Sequence, residues 1–184
     1  MRPRVLGLGN ELMGDDAVGV IAARQINTEL TDLVDVVETS VYGLGLLDVI
    51  LGCRQLIIID AIRTGKLPVG SVIQLDPESF DRVLAPSPHY SGLPEMRALA
   101  EALELGYPDQ VIVFAIEIGD DAYFGAPINP VAMGAVKQVV RRVKHRLTQW
   151  RCEEPWDADA LGCLEMSERF ANQVKTDWRC TNEG

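Results

Sequence analysis

The sequence predicts an α/β fold built on a mainly parallel five-stranded sheet with helices on both faces, followed by an atypical C-terminal tail. Three observations predict it. Short β-branched runs alternate with longer stretches of helical periodicity through the first 150 residues, the pattern of strands joined by crossing helices. The run Leu56-Ile57-Ile58-Ile59 is continuously apolar, as a central strand covered on both faces requires. The chain has 184 residues, 47% of them hydrophobic, which suits one domain with a sizeable core and excludes disordered and fibrous classes.

Taken in order, Arg4 to Leu8 reads as the first strand. From Asp16 to Leu30, the residues Val18, Ile21, Ala22, Ile26 and Leu30 recur at helical spacing and give one apolar face. Leu33 to Glu38 reads as a second strand, and Leu44 to Leu51 as a short helix opened by glycines. The third strand is Leu56 to Ile59, ending at Asp60. Ser71 to Leu75 reads as an edge strand, because the short Gly65 to Gly70 connection suits a hairpin better than a helical crossover.

A long loop with Pro77, Pro86 and Pro88 covers Asp76 to Tyr90, and loops of this length usually carry function or disorder. Gly92 to Leu105 is helical, and Gln110 to Ile116 is the last strong strand. After the Gly125-Ala126-Pro127 turn, Val131, Ala135, Val136, Val139, Val140, Val143 and Leu147 line one face of a long helix. Arg141, Arg142, Lys144 and Arg146 are expected in its final turns, opposing the negative end of the macrodipole. The α/β domain is assigned residues 1–150. Residues 151–184 form an acidic extension with eight acids, four bases and three of the four cysteines.

Charge narrows the function. Seventeen Lys and Arg against 27 Asp and Glu leave a net charge of −10, which removes the electrostatic footprint of nucleic-acid binding and repels anionic membranes. No apolar run approaches the roughly 20 residues that cross a bilayer, and the Met-Arg-Pro-Arg start leads straight into a strand. A cytoplasmic protein is therefore expected. Cys53, Cys152, Cys163 and Cys180 lack CxxC spacing, so reduced thiols are expected.

Gly7-Leu8-Gly9-Asn10 after the first strand invites a nucleotide-binding reading, but Leu12 stands where that fingerprint needs its third glycine. The following Glu11, Asp15 and Asp16 bring carboxylates where a phosphate loop avoids them, and favour a cation instead. Asp15 and Asp16 also suit helix capping, and Asp60 also suits a turn at a strand end. Asp16 and Asp60 nevertheless both belong to the carboxyl edge of the sheet, where α/β ligand crevices form. His89, at the end of the proline-rich loop, is the histidine able to join them, whereas His145 sits among helix cations. Two carboxylates and an imidazole suit a borderline divalent ion such as nickel, zinc or manganese. There is no H-E-x-x-H or G-x-S-x-G motif.

These residues resemble the nickel-iron hydrogenase maturation endopeptidases. The resemblance rests on Gly7-Leu8-Gly9-Asn10 with Leu12 and Asp15-Asp16, on Gly43-Leu44, on Leu56-Ile57-Ile58-Ile59-Asp60-Ala61, and on His89-Tyr90-Ser91-Gly92-Leu93. It spans about residues 3–145 and implies a twisted sheet flanked by helices. It further implies an endopeptidase that trims the C-terminal extension of a [NiFe]-hydrogenase large-subunit precursor after nickel insertion. Asp16, Asp60 and His89 are the implied metal-binding and catalytic residues, engaging a nickel ion supplied by the substrate, for which other divalent metals could substitute. Gly7, Gly9 and Asn10 shape the loop, and Glu117 is given a supporting role. Many members carry Glu at the position of Asp16, where the shorter side chain keeps the charge and sets the ligand back. The acidic extension lies outside the resemblance and is expected to pack over the sheet or modulate substrate access. The rival reading from another class is a nickel-binding chaperone or sensor that docks the same subunit without cutting it.

Overall fold

The computed structural model describes residues 1–30, 33–75, 93–120 and 123–153. It divides into two compact units, Met1–Val143 and Lys144–Gly184. In the first, five strands, β1 (Arg4–Leu8), β2 (Asp35–Thr39), β3 (Gln55–Ile62), β4 (Val72–Leu75) and β5 (Gln110–Glu117), form one sheet in the order β2-β1-β3-β5-β4. All pairings are parallel except β4 with β5. Four helices, α1 (Val18–Leu30), α2 (Leu47–Ile50), α3 (Leu93–Ala102) and α4 (Pro130–Glu153), complete the described elements together with two 3₁₀ turns, Gly14–Ala17 and Gly43–Leu46.

Every residue of β3 is buried, as its uninterrupted apolar sequence demands of a strand with neighbours on both sides and helices above and below. Side chains alternate between its faces. Leu56, Ile58 and Ile62 join Leu6, Leu8, Val113 and Ala115 in a cluster with Leu46 and Ile50 around α2 and with Leu93 and Met96 of α3. On the opposite face α1 lies against β1, with Ala23 and Gly19 so near Gly7 that a side chain there would clash. Helices therefore cover both faces of the sheet.

The structure refines the sequence reading in four places. The segment opening at Asp16 begins as a 3₁₀ turn, and the α-helix starts at Val18. β4 is an edge strand, but no β3-β4 hairpin forms: β5 lies between them. A connection from Arg63 to Ser71 can bridge that gap because Glu117 on β5 anchors it. Its carboxylate accepts the backbone N–H groups of Thr64 and Gly65, each at 2.8 Å, and the Thr64 hydroxyl at 2.8 Å.

Third, α4 runs on to Glu153, so the basic cluster lies in mid-helix and only Arg151 occupies the last turn. Arg142 has a different task, donating to the carbonyl of Val72 on β4 at 2.9 Å. Val131, expected on the buried stripe, is exposed, while Ala135, Val136, Val139, Val140 and Val143 are buried. Fourth, Cys53 is a free buried thiol whose burial pushes its pKa up, but Cys152 is disulfide-bonded, contrary to the expectation of reduced thiols. In the second unit the described residues continue α4, with Leu147 and Trp150 buried. Residues 154–184 lie outside the described residues, as does the long proline-bearing loop. No helix among the described residues is long and apolar enough to cross a membrane.

Candidate active site at the carboxyl edge of the sheet

Gly7 of β1 lies level with Ile59 of β3. The chain leaving β1 therefore departs beside Asp60, which β3 carries inward from its own end before continuing to Ile62. Asp60 has no exposure to solvent, and one carboxylate oxygen accepts the N–H of Ala61 at 2.8 Å. This bond fixes the side chain's direction at the edge where parallel α/β sheets form ligand crevices.

Glycine makes the close approach possible. At Gly19, in the first turn of α1, an added Cβ would overlap the carbonyl of Leu8 and come within 2.6 Å of that of Ile59, with the Asp60 Cα at 3.1 Å. Helix α1 thus presses its start directly onto β1 and β3. The 3₁₀ turn Gly14–Ala17, which carries Asp15 and Asp16, is in contact with β3 as a result. At Gly9 φ is +142°, and an added Cβ would run into the Asp16 carbonyl, so only glycine fits.

Asp16 is half-buried, and its carboxylate accepts the backbone N–H of Asn10 at 2.7 Å. The Asn10 side chain in turn accepts from Leu12 N–H at 3.0 Å, which gives the loop its own internal brace. The structure thus brings the Asp16 turn and the Asp60 strand together. His89 lies outside the described residues. Among the described residues no group of three His, Cys, Asp or Glu side chains forms a metal cage.

Asp15 departs from its expected capping role. Its carboxylate is 1% exposed and accepts no bond from its own helix. One oxygen accepts the N–H of Asn129 at 2.6 Å, 114 residues along the chain, and the other has no hydrogen-bond partner among the described residues. No local sequence signal marks this pair, because nothing near Asp15 specifies which distant turn will meet it.

Beside the loop, a groove of about 550 Å³ opens between Gly9–Leu12 and the end of β2 at Glu38–Ser40. Arg24 of α1 bridges its two acids, reaching Glu11 at 2.8 Å and Glu38 at 2.6 Å. The hydrogen bond from Arg24, and then its charge, hold the Glu11 carboxyl below the usual carboxylate range. All three side chains are substantially exposed, so the network shapes the groove more than it stabilises the fold. Glu117, given a supporting role from sequence, spends its carboxylate on the turn at Thr64 and Gly65.

Comparison with known proteins agrees with this architecture. The family model for hydrogenase maturation protease matches residues 18–146, a span that includes Asp60 and His89 and begins just after Asp16. The chain is 29% identical over 150 residues to the hydrogenase expression/formation protein HoxM of Cupriavidus necator, covering 79% of this chain and 73% of that protein. It is 34% identical over 100 residues to the hydrogenase 2 maturation protease of Escherichia coli strain K12, covering 52% of this chain and 61% of that one. Among solved structures, the hydrogenase maturating endopeptidase HybD from Escherichia coli superposes with a TM-score of 0.68 at 26% identity, covering 81% and 93% of the two chains. The [NiFe] hydrogenase maturation protease HybD from Thermococcus kodakarensis superposes with a TM-score of 0.64 at 27% identity, covering 80% and 99%. The family model's match to residues 18–146, together with this likeness in fold, makes the protein a member of the hydrogenase maturation protease family.

Proposed function

We propose that this chain is the endopeptidase that removes the C-terminal extension of a nickel-loaded [NiFe]-hydrogenase large-subunit precursor. Nickel arrives on the substrate, and Asp16, Asp60 and His89 are the residues that meet it. The observation that carries the reading is Asp60, a carboxylate with no solvent exposure in a wholly buried strand, beside the turn bearing Asp16. A buried carboxylate is costly for a fold that needs only packing at that position. Such a group at a sheet's carboxyl edge is a candidate for chemistry.

The donor set fits the ion. Two carboxylates and an imidazole suit nickel, and also zinc or manganese, without filling the coordination shell. When bound, the ion supplies Lewis acidity toward a carbonyl or lowers the pKa of a water. The chain's own part is orientation. Ala61 N–H directs Asp60, Asn10 N–H directs Asp16, and Gly9 and Gly19 let the two supporting segments approach. Holding donor groups in place before substrate arrives is where a protein scaffold gains most in such a reaction.

Mass spectrometry of a cognate precursor tests the reading. Incubation with the protein is expected to release a short C-terminal peptide from the nickel-loaded precursor and to leave the nickel-free form intact. Asp60→Ala and His89→Ala are each expected to abolish release while circular dichroism stays unchanged. Equal trimming of both precursors would remove nickel recognition from the proposal. A stable complex with no mass change would favour the non-cleaving chaperone.

A further inference from the structure

The turn that carries Asp16 is held from two sides, and only one of them belongs to the loop itself. On the inner side, Asp16 accepts from Asn10 N–H and its carbonyl lies against Gly9. On the outer side, three successive contacts fasten the same turn to the segment that leads into α4. Leu12 carbonyl accepts Gly125 N–H at 2.8 Å. Gly14, at φ +56°, sits so close to Ala126 that an added Cβ would lie 2.9 Å from the alanine methyl. Asp15 accepts Asn129 N–H at 2.6 Å.

Asn129 is no ordinary loop residue. Its side-chain oxygen accepts Val131 N–H at 2.9 Å and so caps α4, a helix of 24 residues. The Asp15 bond therefore ties the Asp16 turn to the capped start of the longest described helix. Of the two hydrogen bonds among these contacts, it is the one accepted by a side chain. Asp15 is 1% exposed, and its second carboxylate oxygen has no hydrogen-bond partner among the described residues. Capping a helix from an exposed position would satisfy an acid at less cost, so capping does not account for it.

We infer that Asp15 is a positioning residue for the proposed reaction: through its bond to Asn129 N–H it sets where the neighbouring Asp16 carboxylate stands relative to Asp60. This rests on the proposed role of Asp16. The mechanism is steric and short-range. Adjacent residues of a 3₁₀ turn share a rigid backbone, so a shift of Asp15 is passed on to Asp16 with little loss. A misplacement of about 1 Å can lower a rate by roughly a hundredfold.

Asp15→Ala removes the acceptor, whereas Asp15→Asn keeps an oxygen for Asn129 N–H and removes only the charge. Two readouts separate the possibilities in the full-length protein. In the first, kcat and KM are measured on nickel-loaded precursor. Asp15→Ala is expected to lower kcat by roughly tenfold to a hundredfold with KM little changed, and Asp15→Asn to restore kcat to within about threefold of the parent. In the second, amide hydrogen exchange is followed by NMR without any substrate. Asp15→Ala is expected to speed exchange at Asn10 N–H, the donor to Asp16, and not at β3, and Asp15→Asn to restore protection.

Asp15→Asn as inactive as Asp15→Ala would overturn the inference, because the bond would then not be what matters. Unchanged exchange at Asn10 in Asp15→Ala would overturn it as well. If Asp15→Ala does not fold, Asp15→Asn decides alone by the same two criteria. If the parent protein trims no precursor, the proposed function has failed, and the exchange readout still judges whether Asp15 positions the turn.

Discussion

At the scale of single residues, small side chains matter here for what they leave out. Gly19 is the sharpest case because two effects predict opposite signs. In an exposed helix, replacing glycine with alanine gains about 1 kcal/mol from reduced backbone entropy. At Gly19 the new methyl would meet the carbonyls of Leu8 and Ile59, which belong to sheet backbone and cannot rotate aside. Overpacking of this kind costs roughly 1–3 kcal/mol, so Gly19→Ala is expected to lower stability. A urea denaturation midpoint below that of the parent would bear this out, and a rise would show that α1 can lift off the sheet without penalty.

At the scale of elements, the strand connections are where sequence patterning and tertiary contacts part company. β4 reaches the far side of β5 only because Glu117 gathers the chain leaving β3. Its buried carboxylate satisfies two backbone N–H groups and the Thr64 hydroxyl. The edge itself is closed by Gly70 N–H to Glu117 carbonyl at 2.8 Å and Glu117 N–H to Ser71 carbonyl at 2.9 Å. Glu117→Ala strands those donors in a part-buried turn and is expected to cost about 2 kcal/mol or more. Glu117→Gln keeps one acceptor oxygen and is expected to cost less. Denaturant unfolding of both variants checks the order, and equal losses would mean that the negative charge, rather than the acceptor count, holds the connection.

At the scale of the whole molecule, the net charge of −10 bears on how a substrate is met. An acidic surface attracts a basic precursor tail and steers it over a distance set by salt. Raising the salt from about 0.1 M to about 1 M shortens the Debye length from roughly 10 Å to roughly 3 Å. For a precursor with a basic tail, kcat/KM is expected to fall across that range while kcat holds. A flat salt profile measured by single-substrate kinetics would assign recognition to short-range contacts alone.

Much of the architecture was legible in the sequence because it depends on local periodicity. Arg4–Leu8 was bounded correctly by its apolar run, and Leu56–Ile59 announced a central strand because only such a strand is apolar on both faces. Asp16 and Asp60 could be assigned to one edge of the sheet because parallel pairing places the carboxyl ends of β1 and β3 together there. Other features depended on which distant segments meet. The insertion of β5 between β3 and β4 is one, since hydrogen-bond pairing carries no residue code along a single strand. The bond from Asp15 to Asn129 is another, invisible in a motif where the two acids look alike. Sequence by itself determined the sheet, its helices and the acids at its edge, because periodicity and side-chain chemistry are properties of short segments. Only the tertiary structure decided which acid faces the Asn10 loop and which is buried against the start of α4, because that choice is made by packing between segments more than a hundred residues apart.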